Sequence, residues 1–215
     1  VKVAPYLWNS DIMKHVVGGE RNLPFYDHQT KASQESATLF CAEPNMSVHK
    51  NAFVPIMSAE KYHTTFRKLS TLCVLCGKKL KLAGLEPYLS LFHNKKIELY
   101  DRIAFADILS QCKTKALPSP VILSHQYLND LNFVNFETLY LGWPLVHNCD
   151  RLINVGYFYN KDNVHDAALQ IEYARLNHKH THTLYMKKVH AFLEKYNPKN
   201  PDVSKMYTQL IENLS

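Results

Sequence analysis

The chain has no run of about 18 apolar residues, so it lacks the stretch that a membrane-spanning helix needs. No basic-then-apolar leader opens it. It starts at Val1 rather than Met, as expected of a processed chain or a piece cut from a longer protein. Serine-hydrolase elbows (G-x-S-x-G), P-loops, H-E-x-x-H zinc helices and the dinucleotide fingerprint G-x-G-x-x-G are all missing, which disfavours those chemistries. There are no internal repeats and no low-complexity segments. Its five cysteines, Cys41, Cys73, Cys76, Cys112 and Cys149, are odd in number and lack a disulfide framework, so reduced thiols in a cytosol are expected. Cys73-Val-Leu-Cys76 matches C-x-x-C but lies at the apolar run Leu72 to Leu75. Positions three apart on a strand face opposite ways, so the pair reads as core cysteine and not as a metal clamp.

What is present suits one globular domain. A length of 215 residues supports a sizeable core, and 46% hydrophobic against 20% charged residues is an ordinary balance. The net charge of +6 admits an anionic partner such as a nucleotide diphosphate. It is too modest and too scattered to indicate nucleic acid.

From residue 38 onward, strand-like apolar runs alternate with helical patterns, which predicts a parallel sheet with crossover helices. Strands are expected at Ala37 to Cys41, Thr71 to Cys76, Ile97 to Tyr100, Val121 to Leu123, Leu145 to His147 and Gly156 to Tyr159. Helices are expected from about Lys50 to Phe66, near Leu85 to Phe92, at Ala104 to Cys112, around Glu137 and at Asp162 to Asn177. In the tail, helices Thr183 to Lys195 and Asp202 to Asn213 flank the breaker Asn197-Pro-Lys-Asn-Pro201. Residues 1–36 read as an entering strand, Val1 to Trp8, and a polar loop, Val16 to Ser36, a remnant of an upstream domain; residues 37–177 form the α/β domain and 178–215 a helical tail. The histidines of Asn177-His-Lys-His-Thr-His182 suggest metal affinity, but no helix places all three on one face and no Cys or acid clusters nearby. That stretch is expected to be a solvated linker.

The most informative segment is Asn132-Phe-Val-Asn-Phe-Glu137-Thr-Leu-Tyr-Leu-Gly142-Trp-Pro144-Leu-Val-His-Asn148. Asn132 is suited to cap a helix, Phe133, Phe136, Leu139 and Tyr140 recur at helical spacing, Gly142 fits the left-handed position after the last turn, and Pro144 cannot continue the helix. Glu137 stands out as an acid inside a packed element, where it needs a partner. Glu137, Gly142 and Pro144 resemble the donor-site signature of GT-B glycosyltransferases, in which a Glu on a short helix holds the ribose of a sugar nucleotide. More narrowly, Glu43-Pro-Asn45 with Leu141-Gly-Trp-Pro-Leu-Val-His-Asn148 resembles an uncharacterised family of bacterial and viral GT-B-like proteins, over most of residues 1–175.

The resemblance implies a Rossmann-like fold, one half of a GT-B architecture and its donor-binding, C-terminal domain. In an open parallel sheet, ligands sit beyond the carboxyl ends of the strands. Lys50 matches the Lys that such domains place at the first helix start, where helix N–H groups attract phosphate. Surface solvation is its bland alternative, and Glu43 and Asn45 are expected to shape the turn before it. Arg102, in the loop after the third strand, lies where the base usually lies, to stack on it or to pair with Asp101. His125 and Gln126 face the crevice if the strand ends at Leu123. Asn129 stands eight positions before Glu137, where many retaining enzymes carry an acid near the donor sugar. The amide keeps sugar contact open and argues against acid catalysis. Glu137 also has a bland reading, an acid favoured by the helix dipole.

The expected activity is transfer of a hexose or pentose from a nucleoside diphosphate sugar, UDP-linked for example, to the hydroxyl of a glycan or other acceptor. Lys50, Arg102, His125, Asn129, Asn132 and Glu137 form the donor site, and no acid pair suggests a bound metal or other cofactor. Acceptor groups would lie in an upstream domain, and the location is the cytoplasm of a bacterium or of an infected host cell. The alternative is a non-catalytic module that binds a nucleotide sugar or a partner and keeps the fold.

Overall fold

Three short segments are buried along their whole length: Ala37–Cys41 (β1), Pro120–Leu123 (β4) and Leu145–His147 (β5). Segments with no exposed face belong in the middle of a parallel sheet covered on both sides. In the computed structural model, which describes residues 6–27, 34–80, 84–115, 117–129 and 132–213, they do so. Leu69–Val74 (β2), Ile97–Leu99 (β3) and Tyr157–Phe158 (β6) complete a six-stranded sheet in the order β3-β2-β1-β4-β5-β6, and every pairing is parallel. The outer strands β3 and β6 are more exposed, as edges are. The architecture is the expected α/β Rossmann-like one.

Helices Phe53–Phe66 (α2), Ser90–His93 (α3), Phe105–Thr114 (α4) and Phe133–Tyr140 (α5) make the crossovers, and Val164–Leu193 (α6) follows the last strand. A short helix, Asp11–Val16 (α1), and Pro201–Glu212 (α7) stand at the two ends. None of the helices among the described residues is long and apolar enough to cross a membrane. The described cysteines are all free thiols.

Four expectations need correction. Of the entering strand at Val1 to Trp8, residues 1–5 lie outside the described residues, and residues 6–9 form no strand. The loop expected from Val16 to Ser36 includes a 3-10 turn at Glu20–Asn22, and residues 28–33 of it lie outside the described residues. The helix expected near Leu85 to Phe92 is instead a 3-10 turn, Glu86–Tyr88, followed by the single turn of α3. Pro87 has no N–H to donate there. Glu60 of α2 restarts the helix, because its carboxylate accepts from the N–H and hydroxyl of Ser90 and from the N–H of Leu91. Finally, Asn177 to His182 is no linker: α6 runs unbroken through it, across the boundary expected at 177/178.

His178 explains that continuity. It is 2% exposed, donates from Nε2 to the Gly142 carbonyl at 2.9 Å and accepts at Nδ1 from the Tyr157 hydroxyl at 2.9 Å. Burial pushes its pKa down to about 3, so it stays neutral. Tyr185, two turns on, donates its hydroxyl to the Trp143 carbonyl. The middle of α6 is therefore held against the turn that ends α5.

That turn follows the expectation closely. The Asn132 side chain accepts from the Val134 N–H at the start of α5. At its end the N–H groups of Gly142 and Trp143 bond the Leu139 and Thr138 carbonyls, the pairing of a Schellman motif. Gly142 has φ of 77°, and a Cβ there would lie 2.7 Å from His182 Nε2. Both the backbone and the approach of α6 require glycine. Gly142→Ala should cost about 1–2 kcal/mol from the left-handed conformation alone, and more from the contact. Urea unfolding measures it, and a loss under 0.5 kcal/mol would show that this turn does not anchor α6.

Candidate functional site

The chain winds outward from the centre of the sheet, through β2 and β3 on one side and β5 and β6 on the other. The switch point lies between β1 and β4, where open α/β sheets form a crevice at the strand ends. Glu43, two residues past β1, is 2% exposed at that point. Its carboxylate accepts from Ser124 Oγ at 3.1 Å, from the His125 N–H at 3.3 Å and from Gln126 Nε2 at 2.8 and 3.0 Å. One acid thus joins the end of β1 to the end of β4. Burial pushes its pKa up to about 7, against the pull of those hydrogen bonds and of the Lys50 charge. The other titratable groups around it are Cys41, His125 and Tyr159; its charge raises the pKa of Cys41 and Tyr159, after burial.

Side chains lock both flanking loops. After β4, Asn148 and the Gln126 backbone exchange two hydrogen bonds, at 2.8 and 2.9 Å. Asn129 Nδ2 donates to Gln126 Oε1 at 2.7 Å. His125 Nδ1 lies 2.9 Å from the Tyr159 hydroxyl, and burial lowers its pKa, so the imidazole is neutral. After β1, Asn45 takes a left-handed conformation (φ 55°) and donates to the Glu43 and Leu75 carbonyls. Its Oδ1 accepts from the Ala52 N–H at 2.7 Å, next to the start of α2. His49 and Tyr127 tie the loops together: His49 Nδ1 donates to the Tyr127 carbonyl at 3.0 Å and the Tyr127 N–H to the His49 carbonyl at 3.2 Å. Around this polar centre, Met46, Val48, Tyr127 and Leu128 form an exposed apolar rim.

The structure brings three of the expected site residues to this place. Lys50 lies near enough for its charge to act on Glu43, although it precedes α2 by three residues, in a turn paired with Ser47, because Asn45 and Asn51 supply the acceptors at the helix start. His125 and Asn129 belong to the locked loop. Gln126 turns inward to Glu43, and the Asn132 oxygen is engaged as the α5 cap. Glu137, in the second turn of α5, is half-buried, and burial pushes its pKa up to about 7. Its one charge neighbour of note is Tyr6, and among the described residues its carboxylate has no hydrogen-bond partner. Arg102 is exposed beyond β3, two strands and so about 10 Å from β1. Asp101 pairs with Lys78 at 2.6 Å, and not with Arg102. Glu43 is the group that the sequence reading placed wrongly, as a turn former. The signal was an acid two residues after a short, fully buried strand.

A small, partly open cavity also exists, at the opposite ends of β4 and β5, bounded by Tyr26, Pro120, Trp143, Pro144, Arg175 and His178. Its volume is about 40 Å³, far below the few hundred Å³ of ordinary ligand sites. Arg175 there is already bound by Glu172, at 2.6 and 2.8 Å. The open strand-end crevice is the better candidate.

Comparison with known proteins agrees with the architecture. Residues 1–211 match the model of a family described as "Protein of unknown function (DUF2827)". No curated protein matches the chain. Among solved structures, it is similar to a chain of the crystal structure of the GtfA/B complex, with TM-score 0.51, 13% identity and coverage of 89% of this chain and 38% of that one. It is also similar to WaaG, a glycosyltransferase involved in lipopolysaccharide biosynthesis, with TM-score 0.48, 12% identity and coverage of 88% and 54%. The chain therefore spans between a third and just over half of the length of these neighbours.

Glu43 gives the site a pH signature. Its folded pKa lies above the ordinary 4.5, so the native state keeps a proton that the unfolded chain releases. Stability from this group is highest below pH 4.5 and falls as pH rises towards 7, by roughly 3 kcal/mol at most. Glu43→Gln should flatten that slope in urea unfolding between pH 4.5 and 8. Equal slopes in both proteins would show that Glu43 does not titrate as described.

Proposed function

The chain belongs to the DUF2827 family, and from that premise we propose that it is the donor-binding half of a GT-B-type glycosyltransferase. The observation that carries this reading is the polar cluster of Glu43, Lys50, His125 and Asn129 at the switch point of a Rossmann-like sheet. The fold likeness to the GtfA/B chain agrees with it. The reaction is transfer of a sugar from a nucleoside diphosphate to an acceptor hydroxyl. Negative charge grows on the departing diphosphate, and Lys50 stabilises it beside the start of α2. Glu137 takes the ribose hydroxyls, and Arg102 takes the base. The acceptor groups belong to a second half, against which the rim of Met46, Val48, Tyr127 and Leu128 closes. Lys50 supplies the charge that a metal would otherwise provide, so no metal is required.

A second reading, a non-catalytic binding module, is favoured by Asn129, an amide where acid chemistry would want a carboxylate. Turnover of a bound donor separates the two.

Calorimetry in EDTA tests the donor site. UDP or GDP should bind wild type, and Lys50→Ala should weaken the diphosphate by roughly 1.5–3 kcal/mol while leaving the nucleoside alone. Glu137→Ala should weaken UDP but not its 2′,3′-dideoxy analogue. Equal losses for nucleoside and diphosphate, or a strict need for manganese or magnesium, would contradict the assignment.

A further inference from the structure

Chemistry fixes the direction of each hydrogen bond around Gln126. Above its titration at about pH 7 Glu43 is ionised, an ionised carboxylate only accepts, and Glu43 is surrounded by donors: a hydroxyl, a backbone N–H and an amide. Gln126 must therefore turn its NH2 to Glu43, at 2.8 and 3.0 Å from the two oxygens. Its own oxygen then points away and receives Asn129 Nδ2 at 2.7 Å. Asn129, having given one N–H, keeps a carbonyl oxygen and a second N–H. Among the described residues neither has a partner, and the side chain is half-exposed at the crevice.

We infer that Gln126 is a positioning residue: Glu43 orients it, it orients Asn129, and Asn129 offers an acceptor beside a donor to two neighbouring hydroxyls of the transferred sugar. One hydroxyl donates to Oδ1, and its neighbour accepts from the remaining N–H. A sugar acylated on the first hydroxyl, or oxidised there to a carbonyl, has no proton for Oδ1 and is selected against. The sugar contact rests on the donor-site reading, whereas the orientation of Asn129 does not.

The test uses the full chain at pH 8, above the titration of Glu43. NMR reads the exchange of the Asn129 side-chain amide. Calorimetry reads UDP-glucose, UDP-N-acetylglucosamine and GDP-mannose against UDP and GDP. In wild type one Asn129 amide proton should exchange slowly. Gln126→Leu should abolish that protection and weaken the bound sugar nucleotide about tenfold, with its free diphosphate unchanged. Asn129→Ala should weaken it equally, and the two losses should not add. The exchanged pair Glu43→Gln with Gln126→Glu keeps an acceptor facing Asn129, so it should restore both readings. An Asn129 amide unaffected by Gln126→Leu overturns the relay. Parallel losses for sugar nucleotide and diphosphate reduce Gln126 to packing and overturn its positioning role. If wild type binds none of the sugar nucleotides, the sugar contact falls together with the donor-site reading. A failure confined to the amide signal overturns the orientation alone.

Discussion

A carboxylate buried between two central strands is the constraint on which the site depends. An ion out of water costs several kcal/mol unless hydrogen bonds replace its hydration. For Glu43, Ser124, His125 and Gln126, all in one turn of chain after β4, offset part of that cost, and burial still raises its pKa to about 7. The turn has no freedom to leave, because each departing donor would strand the acid. Asn45 closes the other side by holding the backbone of Glu43 to the end of β2. The result is a rigid platform at the one place where the sheet's winding leaves a gap.

Around that platform the architecture serves to hold the lower end of the sheet shut. The Schellman turn after α5, with Gly142 at its centre, receives His178, His182 and Tyr185 from α6. The buried His178 and Tyr185 find their hydrogen-bond partners there within the protein, and the small cavity beside them leaves no room for a nucleotide. At the strand ends the situation is reversed. Asn129 keeps open hydrogen-bonding capacity, and apolar side chains stand exposed at the rim. Spare polar groups beside uncovered apolar surface are what a ligand and a companion domain would use.

How much of this was legible in the sequence follows from the range of each interaction. Strands β1, β4 and β5 were readable because burial on both faces leaves short, mostly apolar runs. The α5 turn was readable because its cap, its glycine and its proline are local signals. The histidine stretch misled, since a polar run in the middle of α6 gives no local sign that residues 36 positions earlier will hold it. Glu43 misled for the same reason: its partners lie about 80 residues away, and Glu-Pro-Asn reads as a turn in isolation. The parallel sheet was legible because it follows from the alternation of strand and helix patterns along the chain, whereas the roles of His178 and Glu43 depend on partners far away in sequence. Glu137 and Arg102 remain the residues least tied to the cluster, since no contact among the described residues links them to it.

The central claim is a matter of place: a sugar nucleotide binds at the ends of β1 and β4, and not in the cavity below. Hydrogen exchange of the backbone with and without saturating UDP-glucose or GDP-mannose reads that directly. The account predicts slowed exchange in residues 43–52 and 124–129, with little change around Trp143 and His178. Protection centred on Trp143, Arg175 and His178, with the strand-end loops unchanged, would contradict it.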